Sequence, residues 1–296
     1  MRTMGLMKYK KVAMVVKGVL LFYLSTFLPL TAHAQTTYQR VDSTKICKLL
    51  RQADKQATTL WIARQFMDVP YVAHTLEVND REQLVVNTRQ LDCTTLVETV
   101  TALKLCIAKD KRTWKDYLDA LRSLRYRQGR LDGYASRLHY FTDWIQDKVE
   151  MQLVDDIQQP NPPFSAVQTV SVNYMSEHPD AYKALKANAR LVPLIRKQEQ
   201  ALTGLKVRYI PKSAVRNTRL LRNTIHDGDI IAITCNKKGL DIAHLGFAVW
   251  RKDGLHLLNA SSLHKKVVEE PMTLYRYLQK HSTFTGIRIV RIKSKK

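Results

Sequence analysis

The sequence predicts an α+β fold, on three observations. Helical periodicity dominates the first half of the chain, and short apolar runs rich in β-branched residues dominate the last third. Those runs are joined by tight turns, as in antiparallel pairing. The clearest is Lys252-Asp253-Gly254, between His244–Trp250 and Leu255–Ala260, because Asp-Gly between two apolar runs is a strong hairpin signal. Helices first and an antiparallel sheet second make α+β.

The chain opens with a segment that does not belong to the fold. Arg2, Lys8, Lys10, Lys11 and Lys17 form a basic start without an acid, followed by the apolar run Val19–Leu30 and the small-x-small site Ala32-His33-Ala34. That is the three-part pattern of a secretory signal over residues 1–34. The apolar run is shorter than the roughly 20 residues that span a bilayer, which favours a cleaved signal over an anchor. An exported chain follows, one domain over residues 35–296 with helical additions in its N-terminal half.

The elements then come in order. Ser43–Met67 reads as helical with a break near Ala57-Thr58-Thr59, and ends before Pro70 because a residue preceding proline avoids the helical region. Glu82–Asn87 reads as a short strand. Asp92 is a good N-cap for a helix carrying Leu96, Val97, Val100, Leu103 and Ala108 as its apolar face. A helix from Trp114 through Leu124 follows, then turns at Gly129 and Gly133 and a helix carrying Leu138, Phe141, Trp144 and Ile145. Asn161-Pro162-Pro163 is a loop, Gln168–Asn173 has β character, and Pro179–Leu202 is helical with an interruption at Pro193. Lys206–Ile210, Ile230–Thr234, His244–Trp250, Leu255–Ala260, Lys266–Glu269 and Gly286–Arg291 are strands.

Composition narrows the function classes. The net charge is +22 and falls to +17 once the five lysines and arginines of the leader are removed. Such a balance attracts anionic partners. The basic residues are scattered, without a dense block or an aromatic-interleaved basic strand, and export argues against nucleic acid. Anionic cell-wall fragments or a membrane surface suit the compartment. Cys47, Cys93, Cys106 and Cys235 contain no CxxC pair, so neither a zinc ribbon nor a thioredoxin motif is present. Four cysteines in an exported chain allow two disulfides. Mostly free thiols is the favoured reading, since Cys93 looks poised and Cys106 continues an apolar helix.

Cys93 is the candidate nucleophile. It sits one residue inside a helix, where the positive end of the dipole favours thiolate. A thiol nucleophile needs a base, and the base needs an orienting group. His244 opens one strand of the Asp-Gly hairpin and Asn259 lies near the end of the other, so both fall at the open end of the hairpin. The plain alternatives are a surface histidine and an asparagine that starts a loop.

These residues carry a family resemblance. Asp92-Cys93-Thr94-Thr95-Leu96-Val97-Glu98 resembles the nucleophile motif of exported, NlpC-type papain-like cysteine peptidases. More narrowly it resembles the N-acetylmuramoyl-L-alanine amidase-like family, formerly a domain of unknown function. Val69–Glu77, Leu124–Arg127 through Gly133–Tyr140, Gly239–Phe247 and Leu258–Ser262 carry the same resemblance in the same order.

The resemblance implies a papain-like core, with the cysteine helix packed on an antiparallel, barrel-like sheet and extra helices around it. It implies Cys93 as nucleophile, His244 as base, Asn259 as third member and Tyr71 as a partner of the Cys93 amide in holding the oxyanion. Tyr134, Arg137 and His139 are the expected substrate anchors, Arg137 because its planar fork suits a peptide carboxylate. Ordinary packing at a helix start is the plain alternative for these three. His74 stands where the pattern has glycine. The implied reaction is hydrolysis of the bond between N-acetylmuramic acid and L-alanine in muropeptides, anhydro forms included, in the periplasm and without cofactor or metal. Its rivals are a γ-D-glutamyl-diamino acid endopeptidase with the same machinery, a non-catalytic muropeptide-binding protein, and a salt-sensitive nucleic-acid binder. No stable membrane insertion is expected.

Overall fold

The structure, a computed structural model, describes residues 36–293. The expected leader lies outside the described residues. Strand β1 (Thr36–Thr37) pairs in parallel with β2 (Leu84–Val85), all that forms of the strand expected over 82–87. Helices α1 (Arg40–Gln52) and α2 (Thr59–Arg64) are separate, because Thr58 caps the second by accepting from the Trp61 amide at 3.1 Å.

Helix α3 (Cys93–Ala108) runs through the interior. Twelve of its 16 residues are buried, which explains a sequence apolar nearly all round rather than striped. It packs against α4 (Trp114–Arg125) and near α5 (Phe141–Glu150). One charged residue of α3, Glu98, is buried, and its partner is equally buried. Arg125 Nε donates to it at 2.7 Å while Arg125 Nη1 donates to the Val85 carbonyl, fastening α3, α4 and β2 together. Removing either member of such a pair costs about 3–5 kcal/mol, because the other is left charged and unpaired.

After β3 (Val154–Ile157) and β4 (Ala166–Thr169) come α6 (Tyr174–Glu177), α7 (Lys183–Ala187) and α8 (Val192–Leu202). Pro193 does not interrupt a helix, as the sequence suggested. It lies in the first turn of α8, where a missing N–H is no loss. Strand β5 (Lys206–Pro211), helix α9 (Arg219–Thr224), strands β6 (Ile230–Cys235), β7 (Ile242–Trp250), β8 (Leu255–Ser261) and β9 (Lys266–Glu269), helix α10 (Leu274–Gln279) and strand β10 (Phe284–Ile292) complete the chain.

The main sheet has the order β4-β5-β10-β6-β7-β8-β9, every pair antiparallel, with β3 also on β10. The α+β class is therefore as expected. The barrel-like closure is not: the sheet is open. The side of β10 away from β6 divides between β5, at Gly286–Ile287, and β3, at Ile289–Ile292, so the sheet forks there instead of curling round to β9. One core joins α1–α5 to the sheet through residues such as Leu245, Phe247 and Leu258, and a second joins its other face to α9 and α10 through Ile233, Leu257 and Leu278. A third, smaller cluster packs Tyr134 and Tyr140 against α6–α8 and β5.

Candidate active site

The site is built at the start of α3. Asp92 Oδ1 accepts from the Thr95 amide at 2.8 Å and Thr95 Oγ1 accepts from the Asp92 amide at 2.9 Å, a reciprocal capping box that fixes where the helix begins. The preceding residue is held as firmly. The Leu91 amide donates to the Pro70 carbonyl at 3.0 Å and the Val72 amide to the Leu91 carbonyl at 3.1 Å, which sets Tyr71 beside Leu91. The same segment is tied to β9, with the Tyr71 amide donating to Lys265 at 2.9 Å and the Val267 amide to Val69 at 2.8 Å. Burial, with Cys93 and Asp92 adding to it, pushes the Tyr71 hydroxyl up.

His244 sits at an irregularity of β7. Its register partner is Ile233, but Ile242 pairs with Thr234, so Ala243 is an extra residue and the strand bends at the histidine. His244 Nε2 lies 2.9 Å from Asn259 Oδ1. Phe247 pairs with Leu258, and continuing that register sets Asn259 opposite Gly246, diagonal to His244. A Cβ at position 246 would stand 2.7 Å from the Leu258 carbonyl, so glycine allows β7 and β8 the close approach on which this contact depends.

Cys93 and His244 line one cavity of about 240 Å³, together with His139, Tyr140, Tyr182 and Asp241. Burial pushes the Cys93 thiol up to about 12, and the Asp92 carboxylate adds to that, against hydrogen bonds from the Leu245 amide and from Thr94. Burial likewise holds His244 below the usual histidine range, although the Asn259 hydrogen bond and the charges of Glu270 and Asp92 oppose it. The resting pair at neutral pH is thus thiol and neutral imidazole. Against the helix-dipole expectation of a resting thiolate stand burial and the capping carboxylate, which answers the dipole at the same helix end.

The expected anchors divide. His139 reaches the cavity, with Nε2 donating to the Tyr134 carbonyl at 3.0 Å, and burial together with the Arg137 charge pushes it down to about 3. Arg137 does not line the cavity. It is buried, with Nη1 donating to Glu77 at 2.5 Å and Nε and Nη2 to Glu82 at 3.0 and 2.6 Å. The fork expected to take a peptide carboxylate is filled by two carboxylates of the chain itself. Tyr134 is buried between the two, its ring 4.5 Å from that of His139 and 5.0 Å from the Arg137 guanidinium. These two residues support the wall that His139 faces.

Sequence reasoning missed several residues. Glu270, fully buried just after β9, accepts from Asn259 Nδ2 at 3.1 Å and from His264 at 3.1 Å. Asp241 lines the cavity while its oxygens accept from the amides of Thr142 and Ile242 at 2.7 and 2.8 Å. Tyr182 and Met175, from the α6–α8 region, close the far wall. None follows a spacing motif, and only tertiary structure brings them here. All four cysteines are unpaired. Among the described residues, no three His, Cys, Asp or Glu side chains converge to hold a metal ion, and no helix is long and apolar enough to cross a membrane.

Comparison with known proteins first sets the class. Residues 61–287, from within α2 to β10, match the family model described as N-acetylmuramoyl-L-alanine amidase-like, so this is an α+β protein of the amidase-like class. The chain belongs to the N-acetylmuramoyl-L-alanine amidase-like family. It is similar to a solved N-acetylmuramoyl-L-alanine amidase from Bacteroides uniformis, at 40% identity and a TM-score of 0.75, over 81% of this chain and 100% of that one. A Bacteroides fragilis protein provisionally named a xylanase is 41% identical, with a TM-score of 0.73, over 78% of this chain and 99% of its own. A Legionella pneumophila protein of the DUF1460 family, 22% identical over 84% and 94% of the two chains with a TM-score of 0.64, shares the fold. No curated protein matches the chain.

Proposed function

We propose that this protein is an exported cysteine amidase that hydrolyses the bond between N-acetylmuramic acid and L-alanine in muropeptides, anhydro forms included. Residues 35–296 act as one papain-like domain, and the leader pattern directs it to the periplasm. The observation that carries the reading is the His244–Asn259 contact of 2.9 Å beside a cavity that His244 shares with a cysteine at a capped helix start.

The chemistry follows from those parts. With Nε2 held by Asn259, the Nδ1 atom of His244 takes the Cys93 proton as the sulfur attacks the lactyl carbonyl of the muramic acid. Because the resting thiol is neutral, transfer and attack proceed together. The oxyanion forms against the Cys93 amide and the Tyr71 hydroxyl. The His244 imidazolium then protonates the leaving L-alanine amine, and water drawn onto the thioester by the neutral imidazole releases the sugar acid and restores the thiol. His139, kept neutral, offers its Nδ1 as an acceptor for a substrate N–H or O–H.

The xylanase name of one relative invites a glycosidase reading. Such enzymes place two carboxylates across the scissile bond, commonly about 5–9 Å apart. The cavity wall holds one, Asp241, already engaged by two backbone amides. Mass analysis of defined muropeptides after digestion tests the proposal. Free sugar plus intact stem peptide, lost in Cys93→Ala, supports it. Release of a dipeptide from the stem points to the endopeptidase, and a wild-type protein inert on every muropeptide points to a binder.

A further inference from the structure

Asn259 is completely buried and makes its polar contacts at both ends of its amide. The two ends of an amide have the same shape, so the neighbours decide which faces which way. His244 cannot decide, since an imidazole nitrogen donates or accepts according to its tautomer. Glu270 can. As a carboxylate it only accepts, and its Oε1 lies 3.1 Å from Asn259 Nδ2. The Leu257 carbonyl, at 3.5 Å, favours the same orientation from the edge of hydrogen-bonding range.

We propose that Glu270 is a positioning residue that sets the tautomer of the base. By taking the Asn259 N–H it turns the amide oxygen toward His244, which makes Nε2 the protonated ring nitrogen and leaves Nδ1 bare for the thiol. It also stands as a negative charge behind the imidazolium that forms during reaction. This rests on reading Cys93 and His244 as nucleophile and base.

Glu270 is built in for the task. Its amide donates to the Leu257 carbonyl at 2.8 Å, and its carbonyl accepts from His256 Nδ1 at 2.9 Å, so the backbone is pinned to β8, the strand that carries Asn259. Its other carboxylate oxygen takes His264 Nε2 at 3.1 Å. The side chain is thus held from both sides and cannot swing away from the amide. A carboxylate buried this far without a lysine or arginine partner in its hydrogen bonds calls for a reason beyond packing.

The test uses Glu270→Gln, which keeps shape but offers a donor as well as an acceptor. In the full-length protein kcat on a muropeptide should fall about tenfold with KM nearly unchanged, the low end of what hydrogen-bond partners behind metal-bound histidines contribute. Asn259→Asp added to Glu270→Gln restores an acceptor-only group behind His244, and activity should recover well above the single variant. A purely structural role predicts no recovery, and a Glu270→Gln kcat within twofold of wild type would overturn the proposal outright. The ring ¹⁵N shifts of His244 give a reading that needs no substrate. Wild type should show a bare Nδ1 and a protonated Nε2, with that preference lost in Glu270→Gln; a protonated Nδ1 in wild type sinks the idea. A protein inert on all muropeptides refutes the amidase reading, while the nitrogen shifts still judge Glu270.

Discussion

Replacing Asp92 by asparagine should make the Cys93 thiol more reactive. The capping box survives, because asparagine caps as well as aspartate and its oxygen can still accept from the Thr95 amide. What is lost is the charge that helps to raise the thiol to about 12. For two charges about 6 Å apart, an effective dielectric of about 20 gives about 2.8 kcal/mol, or about two pKa units. Solvent screening cuts this to about one unit. The thiolate fraction at pH 7–8 then rises about tenfold, while each thiolate loses nucleophilicity as its pKa falls, so alkylation by iodoacetamide should quicken about three- to fourfold. Mass spectrometry of Cys93 alkylation against time, across pH 6–10, reads this directly, with Cys106 and Cys235 as buried internal references. An unchanged or slower rate in a variant that melts with wild type would refute the account of the resting thiol. Amidase turnover is a poorer readout, since the Asp92 charge also supports the basicity of His244.

Three further outcomes are expected. Arg137→Met strands two carboxylates that wild type neutralises, and should cost about 3–5 kcal/mol in urea unfolding; unchanged stability with a raised KM would instead make Arg137 a substrate receptor. Stability should fall as pH drops from about 6.5 toward 3, because the unfolded chain takes up protons that native His139 and His244 refuse. Stability present above the unfolded value is therefore lost on the acid side, and His139→Gln should flatten that limb; an unchanged limb counts against a neutral, buried His139. Gly246→Ala forces a methyl to 2.7 Å from the Leu258 carbonyl, and should lower both the melting temperature and kcat by prising β8 and its Asn259 away from His244. Wild-type turnover in that variant would show that the approach of the two strands is not what sets the contact.

Local chemistry made much of this chain legible. The start of α3 could be read from Asp92 and the apolar run after it, and the β7–β8 hairpin from its Asp-Gly turn. The open end of that hairpin brought His244 and Asn259 together because antiparallel pairing leaves little choice. His74 was flagged as standing where glycine was expected, and its backbone does take the left-handed conformation, with φ of 61°. What escaped was what depends on distant partners. Nothing near Arg137 in sequence announces Glu77 and Glu82, 60 and 55 residues away, so a saturated cation looked like a free one. The thiol is a case of the same kind: a helix start is visible in sequence, whereas the burial that opposes its ionisation is not. The fork of β10 between β3 and β5, which keeps the sheet from closing, involves segments more than 70 residues apart.

The segment from Asp68 to Tyr71, bonded to the residue before the α3 cap, has a second consequence. An open sheet exposes unpaired amides and carbonyls along its outer strands, and such rims recruit other chains. Along β9 that rim is already occupied: the Asp68 amide donates to Val267, the Val267 amide to Val69, and the Tyr71 amide to Lys265. The main chain that sets Tyr71 beside Leu91 therefore also covers that rim against self-association, leaving β4 and β3, each four residues long, as the outer strands of the forked end. A variant that loosens this segment to widen the active-site mouth should show its damage first as aggregation on storage, before any change in the products it releases.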